Sequence, residues 1–377
     1  MTTFTLSYVP CFNTSCYNGD PPRINTVHGA NYTTMNLGRF AMSATPVASV
    51  NGKPAVVDER TMIPTQKQFV DPFRQGVIIL DGVGYRQTVV VRSYEVGPDK
   101  AVTLQSILNL LQETALNHVW MSGLLGDGFG ATHGMMKNNL IWVVSRMQVQ
   151  VDQYPIWGEI LEIDTWVGAS GKNGMRRDWE IRSHTTGIVF ARATSTWVMM
   201  NEKTRRLSKI PNEVRAEITP WFINKQAIVE ESPEKINKLD DNAKYINSGL
   251  QPKRSDLDMN HHVNNVKYVG WMLEAIPDEY LETYQLSNII LEYRRECGSS
   301  DVVQSLCEPE DDKDITKYVD RCTIGVGGAT ELWNCFMNEG TIRFTHGLQV
   351  KEESKCHEIV RGKTTWKKRT NRYSFCG

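Results

Sequence analysis

Thr103-Leu-Gln-Ser-Ile-Leu-Asn-Leu-Leu-Gln-Glu-Thr-Ala-Leu-Asn-His118 carries Leu104, Ile107, Leu108, Leu111 and Ala115 at steps of three and four residues. That spacing puts them on one broad apolar stripe of a helix, with Thr103 as its N-cap. A second stretch repeats the pattern. From about His262 to Ala275, Val266, Val269, Met272 and Leu273 recur at helical steps, and Pro277 stops the run. Each stretch follows a similar opening, Arg92-Ser-Tyr-Glu-Val-Gly before the first and Arg254-Ser-Asp-Leu-Asp-Met before the second. Internal similarity of this kind sets the architecture before any local detail does.

Strands are predicted after each helix: Leu140–Val151, Gly158–Val167, Met175–Arg182 and Gly187–Val198, then Ser287–Arg294, Asp301–Leu306, Phe344–Lys351 and Glu358–Trp366. Arg192 and Trp197 have the same separation as Arg361 and Trp366, and each Trp directly follows a Thr. A helix followed by long antiparallel strands, written twice, describes an α+β fold of two units, each a sheet wrapped around one buried helix. The expected boundaries are a first repeat over 76–210, a polar, proline-bearing linker over 211–250, a second repeat over 251–370 and a tail over 371–377. Glu308–Asp314 reads as an acidic loop and Gly325-Val-Gly-Gly328 as a turn, since a phosphate cradle needs more glycine order and a following helix.

At 377 residues, with 40% hydrophobic and 23% charged side chains, the composition is that of a soluble globular protein of two ordinary domains. A net charge of −1 gives no global basic field, so nothing argues for nucleic acid, and an acidic partner would have to be met by local clusters of Lys and Arg. No apolar run approaches the roughly 20 residues needed to span a bilayer. The eight cysteines show no metal spacing and no disulfide framework, so no metal and reduced thiols are expected. Residues 1–75 read as a transit peptide and disordered tail. The first 57 are rich in Ser, Thr, Asn and Gly, carry Arg23, Arg39 and Lys53, and hold only the acid Asp20 before Asp58. A disordered tail without an address is the alternative.

The densest polar constellation is Asp258-Met-Asn260-His-His262-Val-Asn-Asn265, just ahead of the second helix. If 258–262 is extended, Asp258, Asn260 and His262 project from one face. They would then meet the free N–H groups and positive end of the helix. A carboxylate, an amide and an imidazole there suit acyl transfer, with one group taking a proton and others holding an oxyanion. A plain helix cap is the competing reading of the same residues. A second feature, Tyr293-Arg-Arg-Glu296-Cys297-Gly298, ends a strand. Cys297 is either a nucleophile activated by His262 or a buried small hydrophobe. In a regular strand Glu296 and Cys297 point to opposite faces, so only one should enter a site.

These two motifs resemble the signature of plant acyl-acyl carrier protein thioesterases. Leu111-Gln-Glu-Thr-Ala-Leu-Asn-His118, Asn173-Gly-Met-Arg-Arg-Asp-Trp179 and Trp197-Val-Met-Met-Asn201 extend the likeness. It runs from about Val89 to Leu306 and returns near Val360 to Lys368. The wording around Leu116 and Gly171–Gly174 is nearer the B type, associated mainly with saturated chains. The resemblance implies a tandem hotdog fold and release of free fatty acid from acyl carrier protein in the plastid stroma, without a cofactor. It places catalytic roles on Asp258, Asn260, His262, Glu296 and Cys297, with either a Cys–His–Asn or a carboxylate-centred arrangement. A homodimer is one expected assembly.

Residues expected along the acyl chain are Met121, Leu125, Trp142 and Met147, each of which could equally be core. Those expected to face the acidic carrier protein are Arg176, Arg177, Lys203, Arg205, Arg206 and Lys209, although solvated strand ends explain many such pairs. The competing functions are an acyl-CoA thioesterase or other hotdog acyl-thioester enzyme, and a non-catalytic acyl-binding protein.

Overall fold

The strands of the computed structural model are β1 Gly76–Ile79, β2 Gly84–Val90, β3 Leu140–Val151, β4 Ile160–Ser170, β5 Gly174–Ser183, β6 Val189–Asn201, β7 Leu207–Ser208, β8 Tyr245–Leu250, β9 Tyr284–Tyr293, β10 Val303–Pro309, β11 Thr341–Lys351 and β12 Cys356–Lys368. The helices are α1 Leu104–Met121, α2 His133–Lys137, α3 Asn212–Ile218, α4 Asn265–Leu273 and α5 Asp278–Thr283. The structure describes residues 76–126, 130–229, 235–259, 262–310, 340–351 and 356–369. The expected transit segment, the turn at Gly325–Gly328 and the tail after 370 lie outside these residues. None of the described helices is long and apolar enough to cross a membrane.

The strands form one antiparallel sheet in the order β1-β2-β4-β5-β6-β3-β9-β12-β11-β10-β8, with β7 on β6. The order is a palindrome of the two repeats, joined where β3 meets β9. There Met147 faces Leu291 and Val149 faces Ile289, all buried, while Arg146 reaches Glu292 at 3.0 Å. Each half wraps a helix. α1 packs on β2 and β4, α4 packs on β10 and β11, and the two helices meet each other. This is the double hotdog. The shared Arg–Trp spacing has a structural counterpart in both repeats: Trp197 Nε1 donates to Ser195 Oγ (2.6 Å), and Trp366 Nε1 donates to Thr364 Oγ1 (2.9 Å).

The α1 stripe does what its spacing implies. Leu104, Ile107, Leu108 and Leu111 are buried, and the Thr103 hydroxyl accepts from the Ser106 N–H. Truncating a fully buried leucine such as Leu111 to Ala costs about 2–5 kcal/mol. α4 is shorter than its periodicity suggested, because Asn264 rather than His262 caps it, accepting from the Val266 N–H at 3.0 Å. α4 ends at Leu273, before Pro277, and Pro277 is the N-cap of α5.

The first part of the segment expected as a linker, residues 211–229, packs on the first repeat. Ile210, Val214 and Ile218 are buried, and α3 packs on α2. Beyond it the chain runs along β4, where Ile223 N donates to Val167 O and Trp166 Nε1 donates to Lys225 O. β8 then joins β10 in the second half. The apolar residues at 210, 214, 218 and 221 had the spacing of a helix face, but the charged residues between them masked it.

Candidate active site

Leu257 and Val263 bridge antiparallel to each other, which brings Asp258 and His262 side by side. Asp258 N donates to His262 O (2.8 Å), and His262 N donates to Asp258 Oδ1 (3.1 Å). These two bonds hold Asp258 and His262 together. Asn260 lies outside the described residues. Val263 N donates to Cys297 O (3.3 Å), which lays His262 beside Glu296. His262 Nε2 is 3.7 Å from Glu296 Oε2, too long for a direct hydrogen bond but close enough for both to hold one water. The N-terminus of α4, at Asn264 and Asn265, lies on the same cavity wall.

The cavity measures about 770 Å³, within the range of roughly 300–1,000 Å³ typical of small-molecule sites. One end holds Asp258, His262, Glu296 and Tyr268 from the second repeat. Most of the remaining wall comes from the first repeat: the face of α1 from Leu108 to Ser122, Leu140–Ser145 and Met147 of β3, and Ile218 and Trp221 after β7. Of the expected chain-binding residues, Trp142 and Met147 line it. Met121 does not, because it lies off the α1 face that carries Leu111, Ala115 and Val119. Leu125 pairs with Thr132 in a short bridge, and its neighbour Leu124 takes the wall position instead.

Cys297 is absent from this wall. It is fully buried, its N–H donates to the Tyr268 hydroxyl (3.1 Å) and its Sγ lies 3.5 Å from the Gly298 carbonyl. Burial, reinforced by nearby Asp301, pushes its thiol up to about 12. Glu296, one residue earlier, points to the cavity, so the two residues face opposite ways.

The basic residues expected at the carrier surface divide into two groups. Arg177 is buried in the cavity wall, donating to Thr165 Oγ1 (3.2 Å) and lying 3.0 Å from His118 Nδ1. Burial brings its guanidinium down to about 10, still charged at neutral pH. The same burial, with Arg177 alongside, holds the His118 imidazole well below its usual range, so it is neutral and its Nδ1 accepts from Arg177. His118 stacks on Tyr85, with ring centroids 6.0 Å apart. Arg176 is tied to Asp178 (2.7 Å) and the Lys225 carbonyl, and Arg205 contacts Glu296. Lys203, Arg206 and Lys209 remain exposed. The buried pair was legible in part: Met175, Arg177 and Trp179 alternate along β5, and all three line the cavity.

Residues 82–218 match the model of the acyl-ACP thioesterase N-terminal domain, and residues 239–368 match that of the C-terminal domain. The chain belongs to the acyl-ACP thioesterase family. The first match includes α3, in keeping with its place in the first repeat. Among relatives of this family member, a palmitoyl-acyl carrier protein thioesterase, chloroplastic, of Arabidopsis thaliana is 50% identical over 302 residues, 80% of this chain and 68% of that protein. A dodecanoyl-[acyl-carrier-protein] hydrolase, chloroplastic, of Cinnamomum camphora is 46% identical over 287 residues, 76% of this chain and 68% of that one. The matches thus span about two thirds of these relatives' length. The solved 12:0-ACP thioesterase of Umbellularia californica is 43% identical and superposes with a TM-score of 0.66, over 77% of this chain and 96% of that structure. Relatives at nearly equal identity carry names with different acyl chains, so overall identity does not assign a chain length.

Proposed function

We propose that this chain hydrolyses the thioester of fatty acyl-acyl carrier protein in the plastid, releasing free fatty acid and ending chain elongation. The observation that carries this reading is the single cavity that joins an apolar acyl-sized channel in the first repeat to Asp258, His262 and Glu296 in the second. The thioester carbonyl sits beside the N-terminus of α4, whose positive dipole end stabilises the oxyanion. A water held between His262 and Glu296 gives up a proton as its oxygen attacks the carbonyl carbon. The tetrahedral intermediate collapses, the C–S bond breaks, and the carrier's thiolate leaves and is protonated from the same pair. Asp258 holds the turn that presents His262. The family motif keeps Asn260 in the proposal as a further polar group at the carbonyl.

The test is to incubate the purified protein with saturated and unsaturated acyl carrier protein thioesters, alongside matching acyl-CoAs, and quantify free acids. Selective release from the carrier protein is expected. Equal turnover of the CoA esters would favour an acyl-CoA thioesterase, and tight binding without release would favour an acyl-binding protein.

Two further expectations follow from the cavity and its rim. Trp142→Ala opens space along β3 and shifts the product profile towards longer acids, read by gas chromatography; an unchanged profile would remove Trp142 from the chain-measuring wall. An acidic carrier protein meets Lys203, Arg206 and Lys209, so Arg206→Glu raises KM for acyl carrier protein, and wild-type KM climbs with salt. A KM insensitive to both would place docking elsewhere.

A further inference from the structure

Arg205 sits in the loop between β6 and β7, on the first repeat. Asn201 builds this loop: its N–H donates to the Arg206 carbonyl (2.8 Å), its carbonyl accepts from the Arg205 N–H (2.9 Å), and its side-chain Oδ1 accepts from the Thr204 N–H (2.9 Å). Glu202 N–H is held in turn by the Asn139 carbonyl (2.9 Å). Arg205 itself has φ +54°, a left-handed conformation unfavourable for a residue with a Cβ and common at this position of a hairpin loop. Three backbone bonds and one to the Asn201 side chain thus fix where its side chain starts.

The guanidinium reaches across to the second repeat and contacts Glu296 Oε2, the same oxygen that lies 3.7 Å from His262 Nε2. Arg205, Glu296 and His262 all line the cavity. Glu296 follows the end of β9 and lies outside any strand, so no sheet register of its own fixes its carboxylate. Arg294, two residues before it, is engaged by Glu292. A charged fork on a rigid loop is suited to holding a carboxylate in one orientation.

We propose that Arg205 is a positioning residue: it holds the Glu296 carboxylate towards His262, so the hydrolytic centre is completed by the first repeat. This rests on the role assigned to Glu296 above, and it takes Arg205 out of the set that docks the carrier protein. The two roles separate in kinetics. A docking residue changes KM and its salt dependence, whereas a residue acting through Glu296 changes kcat.

The test is a double-mutant cycle of Arg205→Asn and Glu296→Gln, with Arg205→Lys as the conservative variant. Asn tolerates the left-handed backbone, so the loop is retained. Arg205→Asn is expected to lower kcat by up to about 10²-fold, the scale of a displaced catalytic group, with KM for acyl carrier protein unchanged. Arg205→Lys recovers part of the loss, and the double variant is no slower than Glu296→Gln alone. Additive losses, a raised KM at constant kcat, or wild-type kinetics in Arg205→Asn would each overturn the proposal. Should the wild type release no acid from any carrier thioester, the functional reading fails separately. The pairing is then decided by melting temperatures of the same four proteins: non-additive shifts support it and additive shifts overturn it.

Discussion

Glu296→Gln is expected to lower kcat by about 10²–10⁴-fold, the usual contribution of a positioned acid–base group, while Cys297→Ala leaves turnover nearly unchanged. The two residues are adjacent, but their surroundings are opposite. Glu296 is partly exposed on the cavity wall between Arg205 and His262. Cys297 is fully buried behind it, with its thiol pushed up to about 12 by loss of solvent and by Asp301. The thiolate is the nucleophilic form, and it is a negligible fraction at neutral pH under those conditions. A covalent route would also require the sulfur to turn out of a packed site into the cavity. Steady-state kinetics on acyl carrier protein thioesters, paired with mass spectrometry of acid-quenched enzyme, distinguishes the two chemistries. An acyl group trapped on Cys297, or loss of turnover in a folded Cys297→Ala protein, would restore the thiol to the mechanism.

Acid is expected to destabilise the fold from the pH at which an exposed histidine titrates downwards, with His346 as a principal cause. His346 lies on β11 in the core of the second repeat, fully buried, with Nε2 2.8 Å from Thr364 Oγ1 and no partner at Nδ1 among the described residues. Burial lowers its imidazole to about 3, from an unfolded value near 6.5. The unfolded chain therefore binds the proton first. Stability is fully present above about pH 6.5 and is lost as pH falls towards 3, by about 1.4 kcal/mol per pH unit within that window. Traversing the whole window would remove about 5 kcal/mol, a large share of the roughly 5–15 kcal/mol that holds a domain together. His118, lowered by burial and Arg177, acts in the same direction. His346→Gln cannot take up a proton yet can still bond Thr364, so it should flatten the slope without abolishing it. Urea unfolding at a series of pH values from 7.5 downwards measures this. A variant with the wild-type slope would show that His346 does not govern the acid transition.

Much of the architecture was legible without coordinates because it depends on local order. Stripes at three- and four-residue steps can bury only one helix face, and the repeated Arg–Trp spacing marks the same strand in each half. The expected strand β3 appears with the bounds read from sequence, and β5, β6, β11 and β12 appear with ends shifted by a few residues, where hydrogen-bond pairing rather than composition decides the last residue. α4 began three residues late for a similar reason: Asn264 turned out to be the better cap, and His262 was drawn into the preceding turn.

What the sequence by itself determined is therefore the double hotdog, its two helices and the short stretches that hold the reactive groups. Tertiary structure alone decided which groups meet. Arg177 and Arg205 look alike as basic residues near strand ends, yet one is buried beside His118 in the acyl channel and the other contacts Glu296 from the opposite repeat. Glu296 and Cys297 are likewise neighbours in the chain that face a cavity and a core. Periodicity reports which face of its own element a residue occupies. The pairing of β3 with β9, and the loop that β6 extends past it, determine what that face meets across the fold.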